Sequence, residues 1–291
     1  MSNNAREILG LLDELPPLPA VAARVMGLAD DDRTSALDLA QVLSTDQALT
    51  ARLIKISNSA YYGFARRVGT VREAVLVLGF KQVRQLAVGA SIVNSFKRNS
   101  VLDGVFDLDL FWGHSVATAV AGEAIAKKTR AARPEDAFTA GILHDIGRLV
   151  ISQVMANEFA DAVRFARSNH TSLHEAETRL TGFDHAAVGR ALGEQWKFPG
   201  HLVDAIAMHH DESLTPAADG LPGVVAQANR LVLHYGLYCG FDDEGAAPAE
   251  MSPDLAALEE AAGGIDHLLD RAFAFIESAS GAPQRWYAAA S

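Results

Sequence analysis

The sequence predicts an all-α protein, and three observations support this fold class. Apolar residues recur at helical spacing in most of the chain. Few segments show the alternation of apolar and polar residues that is typical of strands. Hydrophobic residues make up 49% of the composition and aromatic residues only 7%, with abundant Ala, Leu and Val. At 291 residues, the chain is long enough for one large or two modest domains, each with its own core.

The first hundred residues predict a series of short helices. Thr70 and Glu73 have the spacing of a capping box, and Gly79 stands at a typical helix end. A less regular stretch at 99–109 then leads into the second half of the chain. The expected helices lie near residues 4–13, 17–30, 35–43, 46–59, 71–78 and 81–97.

Five more helices are predicted in the second half of the chain. Helical spacing of apolar residues indicates the first, over 110–128. Pro134 suits the first turn of the second, which we expect to continue to about residue 155. Asp184 is a preferred N-cap for the third, over 184–196. The remaining expected elements are helices at 201–210 and 222–238, a loop at 241–253 and a C-terminal helical tail.

A series of histidines and one aspartate runs through these second-half helices. Imidazole and carboxylate groups are the protein ligands of divalent Zn, Fe, Mn and Ni. A single histidine is usually an ordinary residue, and His209-His210 also fits a solvated helix end. The order of the series favours a metal site to which several helices contribute. Its members are His114, His144, Asp145, His185, His209 and His210, whereas His170, His174, His201, His234 and His267 are interpreted as ordinary residues.

The same series, together with motifs in the first half, resembles the HD superfamily of metal-dependent phosphohydrolases. The resemblance is strongest to its HDOD (HD-related output domain) branch and covers roughly residues 10–235. The stretches that carry it in the first half are Leu15-Pro16-Pro17-Leu18-Pro19-Ala20-Val21, Ser44-Thr45-Asp46-Gln47-Ala48-Leu49, Ile56-Ser57-Asn58-Ser59-Ala60-Tyr61-Tyr62-Gly63 and Glu73-Ala74-Val75 with Leu78-Gly79.

The resemblance implies a fold and a domain organisation. We expect a multi-helix HDOD fold in which an N-terminal helical half packs on an HD-like helical bundle. The predicted N-terminal subdomain is 1–105, and the HD-like subdomain with the metal site is 106–240. An acidic loop and a C-terminal helical tail follow at 241–291. The segment 58–63 is interpreted either as a site or, preferably, as a helix end that stops at Gly63.

The resemblance also implies how the ligands divide between two cations. Asp145 would bridge them, with His114, His144 and a final Asp on one cation. His185, His209 and His210 would hold the other. The sequence offers Asn229 where the final Asp is expected, so the first position should bind metal more weakly. One or two divalent transition-metal ions (Fe, Mn, Zn or Ni) are therefore predicted.

The resemblance leaves two functions open. HDOD proteins are regarded as regulatory modules, so the favoured prediction is a cytoplasmic, bacterial-type signal-transduction output module. It would act through protein interaction, without catalysis, and would retain the metal site. The alternative is a metal-dependent phosphohydrolase acting on nucleotides or cyclic dinucleotides, with Asp145 and Arg148 as its catalytic residues. Arg148 replaces a Lys that is frequent in the family. The Gly-Tyr-Pro (GYP) motif of the HD-GYP enzymes, the members of the superfamily that hydrolyse cyclic dinucleotides, is missing after His210.

The charge distribution adds a second candidate surface. The net charge of −11 argues against general affinity for nucleic acid. Residues 51–98 nevertheless contain nine basic residues and one acid, Glu73. These are interpreted as solvated helix faces or as a docking surface for an anionic partner, which could be an acidic regulatory protein, a nucleotide or nucleic acid. The last partner would make a nucleic-acid-binding regulator the third candidate function. The nine are Arg52, Lys55, Arg66, Arg67, Arg72, Lys81, Arg84, Lys97 and Arg98.

The sequence predicts a cytoplasmic protein without a membrane span. No apolar run reaches the roughly 18 residues that a transmembrane helix needs. The first residues do not resemble a signal peptide. Cys239 is the only cysteine, so an internal disulfide is excluded, which fits a reducing compartment.

Overall fold

The computed structural model describes residues 8, 10–12, 18–28, 35–59, 62–64, 67–93, 96, 99–237 and 251–280. All regular structure in these residues is helical, which confirms the all-α prediction. The chain forms two compact units, one consisting mainly of Lys97–Leu268 and the other mainly of Pro16–Phe96. The domain boundaries drawn from the sequence stay a prediction.

The smaller unit is a set of short helices around α5. Its helices are α1 (Ala20–Gly27), α2 (Ala36–Ser44), α3 (Gln47–Ser57), α4 (Val71–Leu78) and α5 (Phe80–Val93). Helix α5 packs on α1, α3 and α4 through buried Val83, Leu86 and Ile92. Thr70 caps α4 by accepting a hydrogen bond from the Glu73 amide, and α4 ends at Gly79, whose φ is 87°. The Thr70 cap and the helix end at Gly79 agree with the prediction, but the reciprocal half of the capping box is not formed, because the Glu73 carboxylate accepts from the Gly69 amide at 2.7 Å.

Asn58 shows why the segment 58–63 is better described as a helix end. It is the C-cap residue of α3. Its side chain pairs with the backbone of Val68, donating to the carbonyl at 2.7 Å and accepting from the amide at 2.8 Å. Tyr62 accepts a hydrogen bond from Gln82 on α5. These contacts give the segment a structural role, although Ala60 and Tyr61 lie outside the described residues.

The larger unit is built around one long buried helix. Its helices are α6 (Leu108–Thr129), α7 (Pro134–Leu143), α8 (Ile146–Val154), α9 (Ala156–Asn169), α10 (Leu173–Thr181), α11 (His185–Gln195), α12 (Gly200–Met208), α13 (Pro216–His234) and α14 (Pro253–Ala261), after a 3-10 turn at Ser100–Leu102. A last helix, α15 (Ile265–Ser280), begins in the larger unit and belongs to the smaller unit from Leu269 onward. Helix α6 is buried along most of its length and packs on α7, α13 and α14. It therefore forms the core against which the other helices are placed.

The predicted continuous helix over 134–155 is wrong. Helix α7 ends at Leu143 and α8 begins at Ile146, so the His144-Asp145 pair lies in the turn between them. The reason is tertiary, because the backbone of α8 lies directly against α11 at Gly147. A Cβ added at Gly147 would collide with the carbonyl oxygen of His185. The apolar pattern continues across the turn and gives no sign of it.

The sequence analysis also missed helices and one helix start. Helices α9 and α10 were not predicted, and α10 contributes Glu177 and His174 to the surroundings of the site described below. Helix α13 begins at Pro216 rather than 222, with a kink at Gly220, whose φ of 60° and ψ of −127° are not helical. Pro suits a first helical turn, so Pro222 predicts a helix start, but in the structure it lies two residues after the kink.

Some sequence predictions cannot be placed. Residues 238–250, and Arg66, Lys97 and Arg98 of the basic region, lie outside the described residues. Among the described helices, none combines the length and apolar character that crossing a membrane requires.

Candidate metal centre

Helix α6 carries the first histidine of the series into the core of the larger unit. His114 is 1% exposed. Its Nδ1 donates a hydrogen bond to the carbonyl oxygen of Leu237 at 2.7 Å. Its Nε2 lies 3.1 Å from Nε2 of His144. The backbone contact therefore fixes the ring so that Nε2 faces the other histidines.

The turn between α7 and α8 places His144 and Asp145 at the centre of the cluster. His144 Nδ1 donates to the carbonyl oxygen of Gly141, one turn back on α7, at 2.7 Å. The two carboxylate oxygens of Asp145 face different histidines. Oδ2 lies 3.2 Å from His144 Nε2 and 3.6 Å from His114 Nε2, whereas Oδ1 lies 3.0 Å from His185 Nε2 and 3.3 Å from His209 Nε2. Asp145 is thus the residue that the two sets of histidines share.

Helix α10 and the start of α11 place His185. Asp184 caps α11 by accepting from the amide of Ala187, so His185 occupies the first helical position. Glu177 on α10 accepts two hydrogen bonds through Oε2, from the backbone amide of His185 at 2.9 Å and from its Nδ1 at 2.5 Å. A carboxylate that holds the far nitrogen of a histidine in this way orients the ring and increases the basicity of the near nitrogen.

The end of α12 supplies the adjacent pair His209-His210. His209 Nδ1 donates to the carbonyl oxygen of Ile206 at 2.7 Å, and its Nε2 lies 3.3 Å from Nε2 of His185. His210 Nε2 lies 2.8 Å from Nε2 of His185. The paired histidines are therefore part of the cluster and not a solvated helix end.

Two groups of ligand atoms result, and they share Asp145. In each group the nitrogen and oxygen atoms all lie within 4.8 Å of one another. The first group comprises His114, His144 and Asp145, and the second comprises Asp145, His185, His209 and His210. The structure thus brings together all six histidine and aspartate residues that the sequence analysis named as one series.

The hydrogen bonds at Nδ1 test whether these residues fit a metal. A backbone carbonyl only accepts hydrogen bonds, so His114, His144 and His209 must each carry a proton on Nδ1. In a neutral ring, Nε2 then carries a lone pair. These lone pairs face one another and Asp145, an arrangement that a bound cation relieves. The donor set of imidazole and carboxylate therefore fits a divalent transition metal.

The protonation of His114, His209, His210 and Asp145 agrees with this fit. Burial lowers the pKa of His114 to about 3, helped by His144, and lowers that of His209 to about 4. Burial also holds the pKa of His210 well below its usual value. Burial opposes ionisation of Asp145, but Arg148 and His144 outweigh it and hold its pKa well below the usual range. These three rings are neutral and the carboxylate is ionised, as metal binding requires.

His185 differs from the other rings because it lies between two carboxylates. Burial and Arg148 both lower its pKa, but Glu177 and Asp145 outweigh them and raise it to about 9. The pocket around this ring therefore favours positive charge. Arg148, one turn after Asp145 on α8, is buried and its Nη1 lies 3.0 Å from Asp145 Oδ2.

Asn229 lies on α13, which packs on α6, the helix that carries His114. The residue is buried, and its Oδ1 has no hydrogen-bond partner among the described residues. Thr118, one turn after His114 on α6, likewise has a buried Oγ1 without a partner in this part of the chain. That Asn229 binds a metal stays a prediction.

Two residues near the site were missed by the sequence analysis. Glu177 precedes His185 by eight residues on a helix that was not predicted, so no periodicity linked the two. His174 was interpreted as ordinary, but its ring stacks on that of His210 with centroids 4.3 Å apart. His201, which was also interpreted as ordinary, is in neither ligand group, and its Nε2 lies 3.5 Å from Asp136.

Solved structures with a similar fold come from several bacteria. An HDOD domain protein of unknown function from Geobacter sulfurreducens is 28% identical, with a TM-score of 0.72 over 96% of this chain and 88% of that chain. A protein from Shewanella amazonensis SB2B, provisionally named a phosphohydrolase, is 28% identical, with a TM-score of 0.71 over 94% of this chain and 96% of that chain. A protein from Marinobacter aquaeolei VT8, provisionally named a signal transduction protein, is 26% identical, with a TM-score of 0.72 over 91% of this chain and 59% of that chain.

Sequence comparison gives the same relationship. An uncharacterised protein from Treponema pallidum (strain Nichols) is 25% identical over 211 residues, which are 71% of this chain. The chain spans 40% of the length of that relative. The model of the HDOD domain family matches residues 15–212, well over half of the 291 residues. The chain therefore belongs to the HDOD domain family.

Proposed function

We propose that this protein is a regulatory HDOD module that acts in signal transduction by binding other proteins. We propose further that its buried cluster holds one or two divalent transition-metal ions, Fe, Mn, Zn or Ni, with a structural or sensing role. The observation that carries the metal proposal is the convergence of four imidazole Nε2 atoms on the two oxygens of Asp145. A buried carboxylate surrounded in this way by fixed rings matches the ligand chemistry of these ions.

The metal would connect helices that are distant in the chain. Its candidate ligands come from α6, the α7–α8 turn, α11 and the end of α12. Because the site does not exist in the unfolded chain, the free energy of metal binding adds to the stability of the fold. A change in metal occupancy would then alter the stability of the larger unit, which is a means of regulation that needs no catalysis.

Two features favour a regulatory role over hydrolysis. Arg148 forms an ion pair with Asp145, the carboxylate that a two-metal site would need as its bridge. Asn229 stands where the resemblance expects an Asp, so the first group has one anionic ligand fewer. Both features reduce the tendency to hold a second ion beside the first.

Elemental analysis tests the metal proposal directly. The protein is purified without chelator and without a histidine tag, beside the double variant His144→Ala/Asp145→Ala. About one or two transition-metal ions per chain, absent from the variant, are expected because the variant removes the shared carboxylate and an adjacent ring. Wild-type protein without metal would contradict the proposal and would leave only the interaction role.

A phosphohydrolase is the second candidate function, and the sharing of Asp145 favours it. In two-metal hydrolases a bridging carboxylate holds two cations that stabilise the attacking and leaving oxygens. Arg148 would then contact a phosphate group of a nucleotide or cyclic dinucleotide. Turnover of bis(p-nitrophenyl) phosphate or of cyclic diguanylate with Mn²⁺, abolished by Asp145→Ala, would establish this function. No turnover with any of the four metals would exclude these two substrates.

We propose that the partner surface lies on the smaller unit. We also propose that the protein acts in the cytoplasm. Lys55, Arg67, Arg72 and Lys81 are exposed there and suit an acidic regulatory protein or another anionic ligand such as a nucleotide. Nucleic acid is disfavoured by the net charge of −11. Salt-dependent duplex binding that is lost in Arg67→Glu/Lys81→Glu would reverse that preference. The single cysteine supports the cytoplasmic assignment.

A further inference from the structure

His210 is held differently from the other four rings of the cluster. His114, His144, His185 and His209 are at most 1% exposed, and each has its Nδ1 hydrogen-bonded to a carbonyl or carboxylate oxygen. His210 is partly exposed, and its Nδ1 has no hydrogen bond to any described residue. The contact of its Nε2 with His185 does not hold the plane of this ring as a second hydrogen bond at Nδ1 holds the others, so a further contact is needed to orient it.

The ring of His174 provides that contact. The two centroids are 4.3 Å apart and the ring planes differ by 21°, so the faces are stacked. The ring of His209, the chain neighbour, is also close, with centroids 4.0 Å apart, but it is tilted by 45°. His174 therefore covers one face of His210 while Nε2 of His210 lies 2.8 Å from Nε2 of His185.

Helix α10 brings this ring to the site together with Glu177. His174 and Glu177 are three residues apart and so lie on the same face of the helix. Leu173, Ala176 and Glu177 are buried and fix that face against the core. One helix thus contacts two members of the second group, holding His185 by hydrogen bonds and His210 by stacking.

His174 itself is not a member of either ligand group. The second group contains Asp145, His185, His209 and His210, whose ligand atoms are mutually within 4.8 Å, and His174 is outside it. A stacked ring presents its face, and the lone pair of an imidazole lies in the ring plane. The geometry therefore supports an indirect role.

We propose that His174 is a positioning residue for the second metal position: its ring stacks on His210 and keeps Nε2 of His210 directed at the ion. This inference rests on the proposed metal site. Loss of the stack removes one of the contacts that orient the His210 ring, beside those with His185 and His209, so that binding an ion must order the ring further. Removal of partners that orient metal ligands typically weakens metal affinity by about 10–100-fold. We expect the metal affinity to fall by about tenfold, since one of four ligands is affected.

The test is a titration of metal-free protein with Co²⁺, whose visible absorption reports the geometry and the number of nitrogen ligands. The variants are His174→Ala, which removes the stack, and His174→Phe, which keeps an aromatic face but has no nitrogen. Leu180→Ala is the matched control, because Leu180 is an exposed residue of the same helix. Thermal unfolding of the metal-free variants checks that each is folded.

The expected result is a dissociation constant raised about tenfold in His174→Ala, with wild-type affinity and absorption in His174→Phe and Leu180→Ala. Wild-type affinity in His174→Ala would overturn the positioning role. Equal weakening in His174→Phe and His174→Ala would also overturn it, because a nitrogen of His174 would then be required. If the wild-type protein binds no Co²⁺, the metal site itself fails and the inference with it, which distinguishes the two failures.

Discussion

The two ligand groups of the cluster share Asp145 but are supported in different ways. In the first group, the rings of His114 and His144 are oriented by backbone carbonyl oxygens, those of Leu237 and Gly141. In the second group, His209 is held in the same way by the carbonyl oxygen of Ile206, but His185 and His210 contact side chains of α10, with Glu177 hydrogen-bonded to His185 and His174 stacked on His210. The second group also has four candidate ligands, whereas the first has three and the neutral Asn229.

This difference determines how easily a substitution can change the metal affinity of each group. The backbone support of the first group follows from the fold and cannot be changed by substituting the supporting residue. The support of two rings of the second group, His185 and His210, depends on the identity of two side chains on one helix, so substitutions there can alter its affinity without changing a ligand. We therefore expect the second position to bind metal more tightly, and its affinity to be more easily altered by substitution.

Asp145→Ala should have the largest effect, because it removes the one ligand that both groups share. We expect loss of all bound metal and loss of any difference in melting temperature between protein with metal and protein with chelator. In the wild type, free metal at 100 times its dissociation constant should stabilise the fold by about 2.7 kcal/mol. Calorimetry with and without Mn²⁺ measures this.

Asp136→Ala is the matched control for that experiment. Asp136 is also a buried acid in the larger unit, but it forms ion pairs outside the cluster, with Arg133 at 2.7 Å and His201 at 3.5 Å. The control should lose some stability and keep its metal. Metal retained in Asp145→Ala would show that the cluster is not the binding site.

The two groups should separate in a comparison of His209→Ala with His114→Ala. His209 belongs only to the second group and His114 only to the first. We expect His209→Ala to lose the tightly bound ion and His114→Ala to keep it, losing only the weaker one. Equilibrium dialysis against Zn²⁺ measures both the tightly and the weakly bound ion. Identical losses in the two variants would mean that the groups act as a single site.

Glu177→Gln should weaken the second position without removing a ligand. The amide oxygen can still accept from His185 Nδ1, but the negative charge that favours a cation at this ring is gone. We expect the dissociation constant of the tighter ion to rise by about tenfold, at the lower end of the range for such partners. Glu175→Gln, at an exposed acid of the same helix, is the control. An unchanged constant in Glu177→Gln would show that the contact with His185 is purely structural.

Asn229→Asp should have the smallest effect, confined to the first position. A carboxylate in place of the amide adds a negative charge, so the weaker ion should bind more tightly and the metal count should rise towards two. Asn229→Ala, which removes the amide oxygen, should not raise it. Elemental analysis after dialysis against limiting Mn²⁺ provides the count, and an unchanged count in Asn229→Asp would remove Asn229 from the site.

The sequence by itself determined the helical class, many helix ends and the membership of the cluster. Asp184 and Thr70 cap helices where predicted because a cap depends on the side chain and the next three residues. The residue types of the cluster and their order in the chain also pointed to a metal site before any geometry was known. These features are local, or follow from residue chemistry alone.

Only the tertiary structure decided the turn at His144-Asp145 and the supports of the rings. The turn depends on the contact between Gly147 and the start of α11, which residues 134–155 do not encode by themselves. Glu177, His174 and the carbonyl of Leu237 reach the cluster because helices distant in sequence pack side by side. The hydrophobic pattern predicts that a helix is buried, but its neighbours are set by the shapes of the packed side chains, and these determine which polar groups meet.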